Sequence, residues 1–126
     1  MRALVVDPSK AARTHLRRIL EDAGFEAGEA SEGLEALELV RKAHEHEPYE
    51  LLVLEWHSGD LSGLDLARTI RAEAGARGPR LLMVSHETTL AHVRAALAAG
   101  VDEYAMKPFT REVIFEKLAL LGLVVP

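Results

Sequence analysis

Short runs of mostly apolar residues alternate with stretches of helical spacing along the chain. The runs lie at residues 3–6, 25–30, 51–54, 80–85 and 102–106, and their short length favours strands, although Gly28 interrupts the second one. Each run is followed by apolar residues three or four positions apart, which predicts a helix. The alternation predicts an α/β fold, a doubly wound parallel sheet of five strands with five helices on its two faces.

Residues that favour helix ends set the expected helix boundaries. Asp7 or Ser9 caps the first helix, and Gly24 ends it in the left-handed conformation. Thr110 is expected to cap the last helix. The third helix is predicted at residues 64–74, and the fourth runs from residue 88 or 89 to residue 100.

The second helix is predicted from its cap and its apolar stripe. Ser31 is the expected cap, and Leu34, Leu37 and Val40 are expected to face the core. The helix then gives way to the polar stretch His44-Glu45-His46-Glu47, which is followed by a proline. We interpret that stretch as a solvated helix end, although its residue types could also bind a metal.

Length, charge and composition limit the possible functions. The chain has 126 residues, which favours one domain over residues 1–126. A net charge of −5 gives no electrostatic attraction to nucleic acid or anionic membranes. No apolar run approaches the roughly 18 residues of a membrane span, and no cysteine is present for disulfides or zinc–sulfur sites. We expect a cytoplasmic domain that binds neither nucleic acid nor membrane.

Polar side chains stand at the ends of several predicted strands. Asp7, Glu55 and Ser85 end the first, third and fourth strands, and Lys107 follows the fifth. Each alone is consistent with an ordinary strand end. Because the carboxyl ends of parallel strands meet at one edge, where ligands bind in such sheets, we expect a shared pocket. Two neighbouring carboxylates repel, so the pocket needs a metal ion or a lysine to balance them.

Four motifs at these positions resemble those of response-regulator receiver domains, the CheY-like proteins of flavodoxin-type fold. The match runs from Leu4 to about Leu121. The motifs are Val5-Val6-Asp7, Leu54-Glu55-Trp56 with Gly63 after it, Met83-Val84-Ser85, and Tyr104-Ala105-Met106-Lys107-Pro108-Phe109. The resemblance implies the strand order 2-1-3-4-5 and a signalling module that is not an enzyme.

The resemblance also assigns roles to individual residues. In this family a kinase transfers a phosphoryl group to an aspartate after the third strand, and an acid pair after the first strand helps to hold Mg²⁺. Asp7 matches the first acid of that pair. Ser85 and Lys107 match the hydroxyl and the lysine that contact the phosphoryl oxygens, and a cis peptide at Pro108 would aim the lysine. Tyr104 matches the aromatic residue that changes rotamer, so Ser85 and Tyr104 form the expected switch.

Two positions differ from the family pattern. Pro8 replaces the second acid, and Glu55 stands at the phosphoacceptor position. The remaining candidate metal ligands are Asp7, Glu55 and the backbone carbonyl of His57, and we expect weak or absent Mg²⁺ binding because this ion demands near-ideal oxygen geometry. Glutamate also carries its oxygens farther out than aspartate. Since positioning dominates phosphoryl transfer, efficient phosphorylation of Glu55 is not expected.

The longer side chain suggests a different role for Glu55. We expect it to pair with Lys107 beside Ser85 and to imitate the modified state in part, since a phosphoryl group adds nearly two negative charges and glutamate carries one. The preferred interpretation is a stand-alone atypical receiver domain in two-component (phosphorelay) signal transduction that acts through protein–protein interaction. Two alternatives stay open. One is a functional phosphoacceptor that uses Glu55 with Mg²⁺ held by Asp7, and the other is an inert scaffold or dimerisation module.

The expected partners are proteins of a signalling pathway, such as a histidine kinase or an output protein. Relatives bind partners through the surface that corresponds here to the helix at residues 90–99, the strand of Tyr104 and the last helix. The same surface could form a homodimer. His57 and His86 flank the expected pocket, so with its two carboxylates they are a second candidate metal site. A simpler interpretation is that they are ordinary loop histidines.

Overall fold

Five β-strands and five α-helices alternate along the chain in this computed structural model, which describes residues 1–123. The strands are β1 (Arg2–Val6), β2 (Glu26–Ala30), β3 (Leu51–Leu54), β4 (Arg80–Ser85) and β5 (Glu103–Met106). The helices are α1 (Lys10–Asp22), α2 (Gly33–Ala43), α3 (Gly63–Ala74), α4 (Leu90–Ala98) and α5 (Arg111–Leu120). A short 3-10 helix, Gly75–Arg77, lies between α3 and β4.

The strands form one parallel sheet in the order β2-β1-β3-β4-β5. This order and the five helices confirm the predicted doubly wound fold. The register pairs Val6 with Leu54 and Leu54 with Met83. The segments that follow β1, β3 and β4 therefore leave the sheet at the same edge, where the polar strand ends are found.

Helices cover both faces of the sheet, and the strands contribute to a core on each side. On one face the sheet packs with Leu37 of α2, Leu66 of α3 and Ala96 of α4. On the other face it packs with Leu16 of α1 and Ile114 of α5. This double burial explains why the central strands are nearly continuous apolar runs. None of the helices formed by residues 1–123 is long and apolar enough to cross a membrane.

Side-chain caps begin α1, α3, α4 and α5. Ser9, Ser62, Thr89 and Thr110 each accept a hydrogen bond from the backbone N–H three residues later, at 3.1 to 3.3 Å. The caps at Ser9, Thr89 and Thr110 are those that the sequence predicts. Gly24 ends α1 with a φ of 98°, the left-handed conformation expected of it.

The start of α2 differs from the prediction. Ser31 is not the cap, because Glu32 holds that position, and within residues 1–123 its side chain makes no capping bond. Asp60 Oδ1 instead accepts a hydrogen bond from the N–H of Leu34 at 3.0 Å, since the loop before α3 folds against this helix end. Leu34 is 52% exposed, not buried as predicted, because it lies beside the inward stripe. That stripe consists of Gly33, Ala36, Leu37, Val40 and Ala43.

Candidate functional site

Four polar side chains lie together at the carboxyl edge of the sheet. Asp7 follows β1, Glu55 follows β3 and Ser85 ends β4. These residues are 3%, 6% and 0% exposed, in that order. Lys107 follows β5, and its side chain is 9% exposed. Charges that are held this far from solvent interact more strongly than charges at the surface.

Lys107 lies between the two carboxylates of the pocket. Its Nζ donates a hydrogen bond to Asp7 Oδ2 at 2.6 Å and lies 3.1 Å from Glu55 Oε2. Its backbone N–H donates to the carbonyl of Ser85 at 2.9 Å, and its peptide bond to Pro108 is cis. Burial alone lowers the pKa of the Lys107 ammonium, but the adjacent carboxylates outweigh burial and raise that pKa. The ammonium is therefore a cation that both acids share, and it offsets part of their negative charge.

Glu55 uses its two carboxylate oxygens differently. Oε1 accepts a hydrogen bond from Ser85 Oγ at 2.9 Å. Oε2 is buried and has no hydrogen-bond partner among the described residues. Lys107 Nζ lies 3.1 Å from Oε2, so the two groups form an ion pair. One hydrogen bond and one ionic contact thus hold the Glu55 carboxylate.

Gly63 allows the chain after β3 to return close to Glu55. Its N–H donates a hydrogen bond to the carbonyl of Trp56 at 2.8 Å. A Cβ at position 63 would lie 2.2 Å from the backbone oxygen of Glu55, so only glycine fits without a shift of the loop. The glycine of the sequence motif therefore fixes the strand end that carries Glu55.

Asp7 is also held through both of its oxygens. Oδ1 accepts a hydrogen bond from the N–H of Ser9 at 2.8 Å, while Oδ2 binds Lys107. Arg13 Nη1 donates to the backbone carbonyls of Asp7 and Pro8 at 2.7 and 3.2 Å. No sequence pattern singles out Arg13, because its contact with the pocket is made to backbone carbonyls, while its side-chain partner is Glu29 on β2. Pro8 has no carboxylate to contribute.

Tyr104 is connected to the pocket through the backbone of Glu87. The Tyr104 hydroxyl donates to the carbonyl of Glu87 at 2.5 Å, and the N–H of Glu87 donates to Ser85 Oγ at 3.2 Å. The Ser85 hydroxyl donates its own proton to Glu55. Burial raises the pKa of the Tyr104 hydroxyl, so it remains protonated and able to donate at neutral pH. A hydrogen-bonded chain therefore runs from Glu55 to β5.

Comparison with known proteins identifies the family. The family described as the response regulator receiver domain matches residues 3–119. The chain belongs to this family. The chemotaxis protein CheY homolog of Campylobacter jejuni is 37% identical over 119 residues, which cover 94% of this receiver domain and 89% of that protein. Chemotaxis protein CheY1 of Helicobacter pylori is 34% identical, and the match covers 96% of each chain.

Solved structures share the fold of this receiver domain. The chemotaxis response regulator CheY4 of Vibrio cholerae has a TM-score of 0.85 at 25% identity, covering 95% of this chain and 97% of that chain. The receiver domain of the sensor histidine kinase PA1611 from Pseudomonas aeruginosa has a TM-score of 0.79 at 21% identity, covering 94% of each chain. That receiver domain holds a magnesium ion in its active site cleft. At 21% identity, the similarity to the PA1611 receiver domain shows a shared fold alone.

The carboxylate oxygens that could bind Mg²⁺ in this pocket already contact other groups of the protein. This ion requires octahedral oxygen coordination at about 2.0–2.1 Å, but both oxygens of Asp7 and one of Glu55 already accept hydrogen bonds. Lys107 fills the cation position between them. Within residues 1–123, no three side chains among His, Asp and Glu are placed to hold a metal. For Asp7 and Glu55 to bind the ion, Lys107 would have to move away from their carboxylates.

The two loop histidines do not form the alternative metal site suggested by the sequence. His57 has 70% of its side chain exposed, and its Nε2 lies 2.8 Å from Glu87 Oε1. His92 approaches the other oxygen of Glu87, with Nε2 at 3.3 Å from Oε2. Neither His57 nor His86 belongs to a metal-holding group of three among the residues that the structure describes. Glu87 carries no sequence signal of its own, because its partners come from separate elements.

Proposed function

We propose that this receiver domain transmits a signal through protein–protein contacts without efficient phosphorylation. The observation that carries the proposal is the position of the Glu55 carboxylate, 2.9 Å from Ser85 Oγ and 3.1 Å from Lys107 Nζ. In the receiver family, the corresponding hydroxyl and lysine contact the phosphoryl oxygens. Glu55 thus takes up the groups that a phosphorylated aspartate would use.

Position and charge both disfavour phosphoryl transfer to Glu55. The attacking oxygen must lie in line with the leaving group, and errors of about 1 Å can cost on the order of a hundredfold in rate. Glu55 is only 6% exposed, with one oxygen on Ser85 and the other facing Lys107. An incoming phosphoryl group would compete with these carboxylates for Lys107 and would bring further negative charge into a buried site.

The same contacts support a signalling arrangement that needs no phosphate. Glu55 accepts from Ser85, which accepts from the N–H of Glu87, whose carbonyl accepts from Tyr104. Tyr104 is 7% exposed, so its ring lies inward. A glutamate carries one negative charge, whereas a phosphoryl group adds nearly two. The imitation of the modified state is therefore partial, and the domain should favour the signalling arrangement without being locked in it.

Under this proposal Mg²⁺ binds weakly or not at all. Lys107 already pairs with Asp7 and Glu55 and offsets part of their negative charge, and Pro8 removes the second acid of the family pattern. A divalent ion would have to compete with an ammonium that donates a hydrogen bond at 2.6 Å. Because Mg²⁺ also sheds its own waters reluctantly, this competition favours the lysine.

The proposed partners are proteins of a two-component pathway, such as a histidine kinase or an output protein. Support comes from apolar side chains on α4, β5 and α5 that are 37% to 64% exposed, since exposed apolar groups often mark interaction surfaces. These side chains are Leu90, Leu97, Met106, Phe115 and Leu120. A second copy of the chain could use the same surface, so the homodimer stays a prediction, as does the cytoplasmic location.

One observation favours the alternative of a functional phosphoacceptor. Glu55 Oε2 has no hydrogen-bond partner within residues 1–123. A carboxylate oxygen that lacks a hydrogen bond keeps its lone pairs available. It is therefore the oxygen that a phosphodonor would modify if Lys107 moved aside.

Intact mass after incubation with acetyl phosphate and Mg²⁺ separates these two functions. We expect no adduct on the wild-type domain, because Lys107 and Ser85 hold the Glu55 carboxylate. The double variant Pro8→Asp/Glu55→Asp restores both acids of the family pattern, and we expect it to gain one phosphoryl group. A stoichiometric adduct on the wild type that disappears in Glu55→Gln would show that Glu55 is a true phosphoacceptor and would contradict the proposal.

A further inference from the structure

The side chain of Glu87 joins the loop after β3 to the first turn of α4. Its Oε1 lies 2.8 Å from His57 Nε2, and its Oε2 lies 3.3 Å from His92 Nε2. His57 comes two residues after Glu55, and Trp56 between them also reaches α4. The Trp56 ring meets His92 edge-on, with ring centroids 5.0 Å apart and an interplanar angle of 76°. The loop that carries Glu55 is thus tied to the segment after β4.

Hydrogen bonds around His92 direct its ring proton towards Glu87. The backbone N–H of His92 donates to Thr89 Oγ1 at 3.3 Å, and Thr89 Oγ1 lies 2.5 Å from His92 Nδ1. The hydroxyl proton of Thr89 is available to Nδ1, and in the tautomer that accepts this proton the ring N–H is on Nε2, facing the carboxylate. A neutral imidazole is sufficient for this contact.

Glu87 is suited to accept from both histidines. The hydrogen bond from His57 lowers the pKa of Glu87, and this effect exceeds the opposing effect of burial. The positive charge of a protonated neighbouring histidine would lower it further. The carboxylate is consequently ionised at neutral pH and presents one oxygen to each ring.

The backbone of Glu87 has a separate task from its side chain. Its N–H and carbonyl bind Ser85 and Tyr104, which are the two residues of the expected switch. These two backbone bonds can form together only while the segment at residues 86–89 stays where it is. Anything that fixes the Glu87 side chain therefore also fixes the link between the pocket and Tyr104.

We propose that Glu87 is a positioning residue whose side chain, held by His57 and His92, keeps its backbone in place for Ser85 and Tyr104. The inference rests on the proposed function and adds a point of regulation to the same site. His57 is 70% exposed and Glu87 is 32% exposed, so a protein partner can reach these side chains without entering the pocket. A partner that binds the carboxylate of Glu87 would release Tyr104 from outside.

Fluorine NMR of the protein labelled with fluorotyrosine tests this role. The sequence has two tyrosines, so Tyr104 gives one resonance and Tyr49 serves as an internal control. At one fixed pH, we expect Glu87→Ala to shift or broaden the Tyr104 resonance and Glu87→Gln, which keeps an acceptor oxygen, to do so less. Amide exchange at residues 87–89 should rise about two- to fivefold in Glu87→Ala, the range expected for exposed contacts.

Glu73→Ala is the matched control, because it removes an exposed carboxylate at the end of α3 that binds Arg41 of α2 rather than a residue of the pocket. It should leave both fluorine resonances unchanged. An unchanged Tyr104 resonance with unchanged exchange in Glu87→Ala would overturn the inference. If Tyr104 then still responds to Glu55→Gln, the proposed function stands and only the role of Glu87 fails. If the Tyr104 resonance responds to Glu87→Ala but not to Glu55→Gln, the positioning role of Glu87 is supported and the proposed function is contradicted.

Discussion

Two carboxylate–cation groups in this receiver domain join different elements under opposite conditions of solvent exposure. In the pocket, Lys107 lies between Asp7 and Glu55, and the three side chains are 9%, 4% and 7% exposed. Between α2 and α3, Arg41 contacts both oxygens of Glu73, and these side chains are 54% and 42% exposed. The charges are similar, but water screens the surface pair and is largely absent from the pocket.

The difference shows where charge can set conformation. At the surface, water replaces a lost partner, so the position of Glu73 has little influence beyond its own contacts. In the pocket, a lost partner leaves a buried charge unbalanced, and the neighbouring groups must rearrange. The pocket can therefore transmit a change at Glu55 to Ser85 and Tyr104, whereas the surface pair has no such effect.

Removing the cation of each group should give the largest difference in stability between the pocket and the surface pair. We expect Lys107→Met to lower the free energy of unfolding by about 3–5 kcal/mol, because it leaves two buried carboxylates without a cation. Arg41→Met should leave the stability nearly unchanged. Urea unfolding followed by circular dichroism measures both. Equal losses in the two variants would show that burial does not distinguish the groups.

Removing a hydroxyl should lower the stability less than removing Lys107. The loss should again be larger in the pocket than at the surface. Ser85→Ala leaves Glu55 Oε1 buried without its hydrogen bond, which should cost about 1–3 kcal/mol. Thr69→Ala removes an exposed hydroxyl that donates to the carbonyl of Asp65, and its effect should stay within about 0.5 kcal/mol. The same unfolding experiment provides the comparison. A Ser85→Ala variant as stable as the wild type would mean that the bond to Glu55 is not formed in solution.

The pH dependence of stability should differ in sign between the groups. The carboxylates raise the pKa of Lys107 against the effect of burial, so its contribution is complete below the unfolded pKa of about 10.4 and is lost as the pH rises through the folded value. The raised pKa of Tyr104 acts in the same direction. The hydrogen bond from Arg41 lowers the pKa of Glu73, so that contribution is lost as the pH falls. Unfolding titrations of the wild type and Lys107→Met measure these slopes, and an unchanged alkaline slope in Lys107→Met would contradict the assignment.

Raising the salt concentration should produce the smallest difference between the pocket and the surface pair. The Debye length falls from roughly 10 Å at 0.1 M salt to about 3 Å at 1 M, which weakens exposed pairs more than buried ones. The coupling between Arg41 and Glu73 in a double-mutant cycle should therefore shrink at high salt. The coupling between Lys107 and Glu55 should persist. A pocket coupling that disappears with salt would mean that water reaches these charges.

The parts of the fold that depend on local periodicity could be predicted from the sequence. Buried strands appear as apolar runs, and the caps at Ser9 and Thr110 belong to the segments that they begin. The start of α2 could not be predicted in this way, because Asp60, which binds the N–H of Leu34, comes from a loop 26 residues away. Leu34 therefore falls outside the inward stripe, because the register of that stripe depends on where α2 begins.

The candidate site shows the same division between local and long-range signals. The strand ends at Asp7, Glu55 and Ser85 stand out because polar residues follow apolar runs, and parallel topology places them on one edge. The length of the glutamate side chain predicts a contact between Glu55 and Lys107, and the structure places the two groups 3.1 Å apart. Glu87 could not be identified from the sequence as a site residue, because its contacts are backbone hydrogen bonds and side chains from two other segments.

The most direct test of whether Glu55 imitates the modified state is the fluorine resonance of Tyr104 in three samples. These are the wild-type domain and the variant Pro8→Asp/Glu55→Asp, the latter before and after phosphorylation with acetyl phosphate and Mg²⁺. We predict that the wild-type resonance lies closer to that of the phosphorylated variant, because the carboxylate of Glu55 already holds Ser85 and Lys107. A wild-type resonance that coincides with that of the unphosphorylated variant would contradict this.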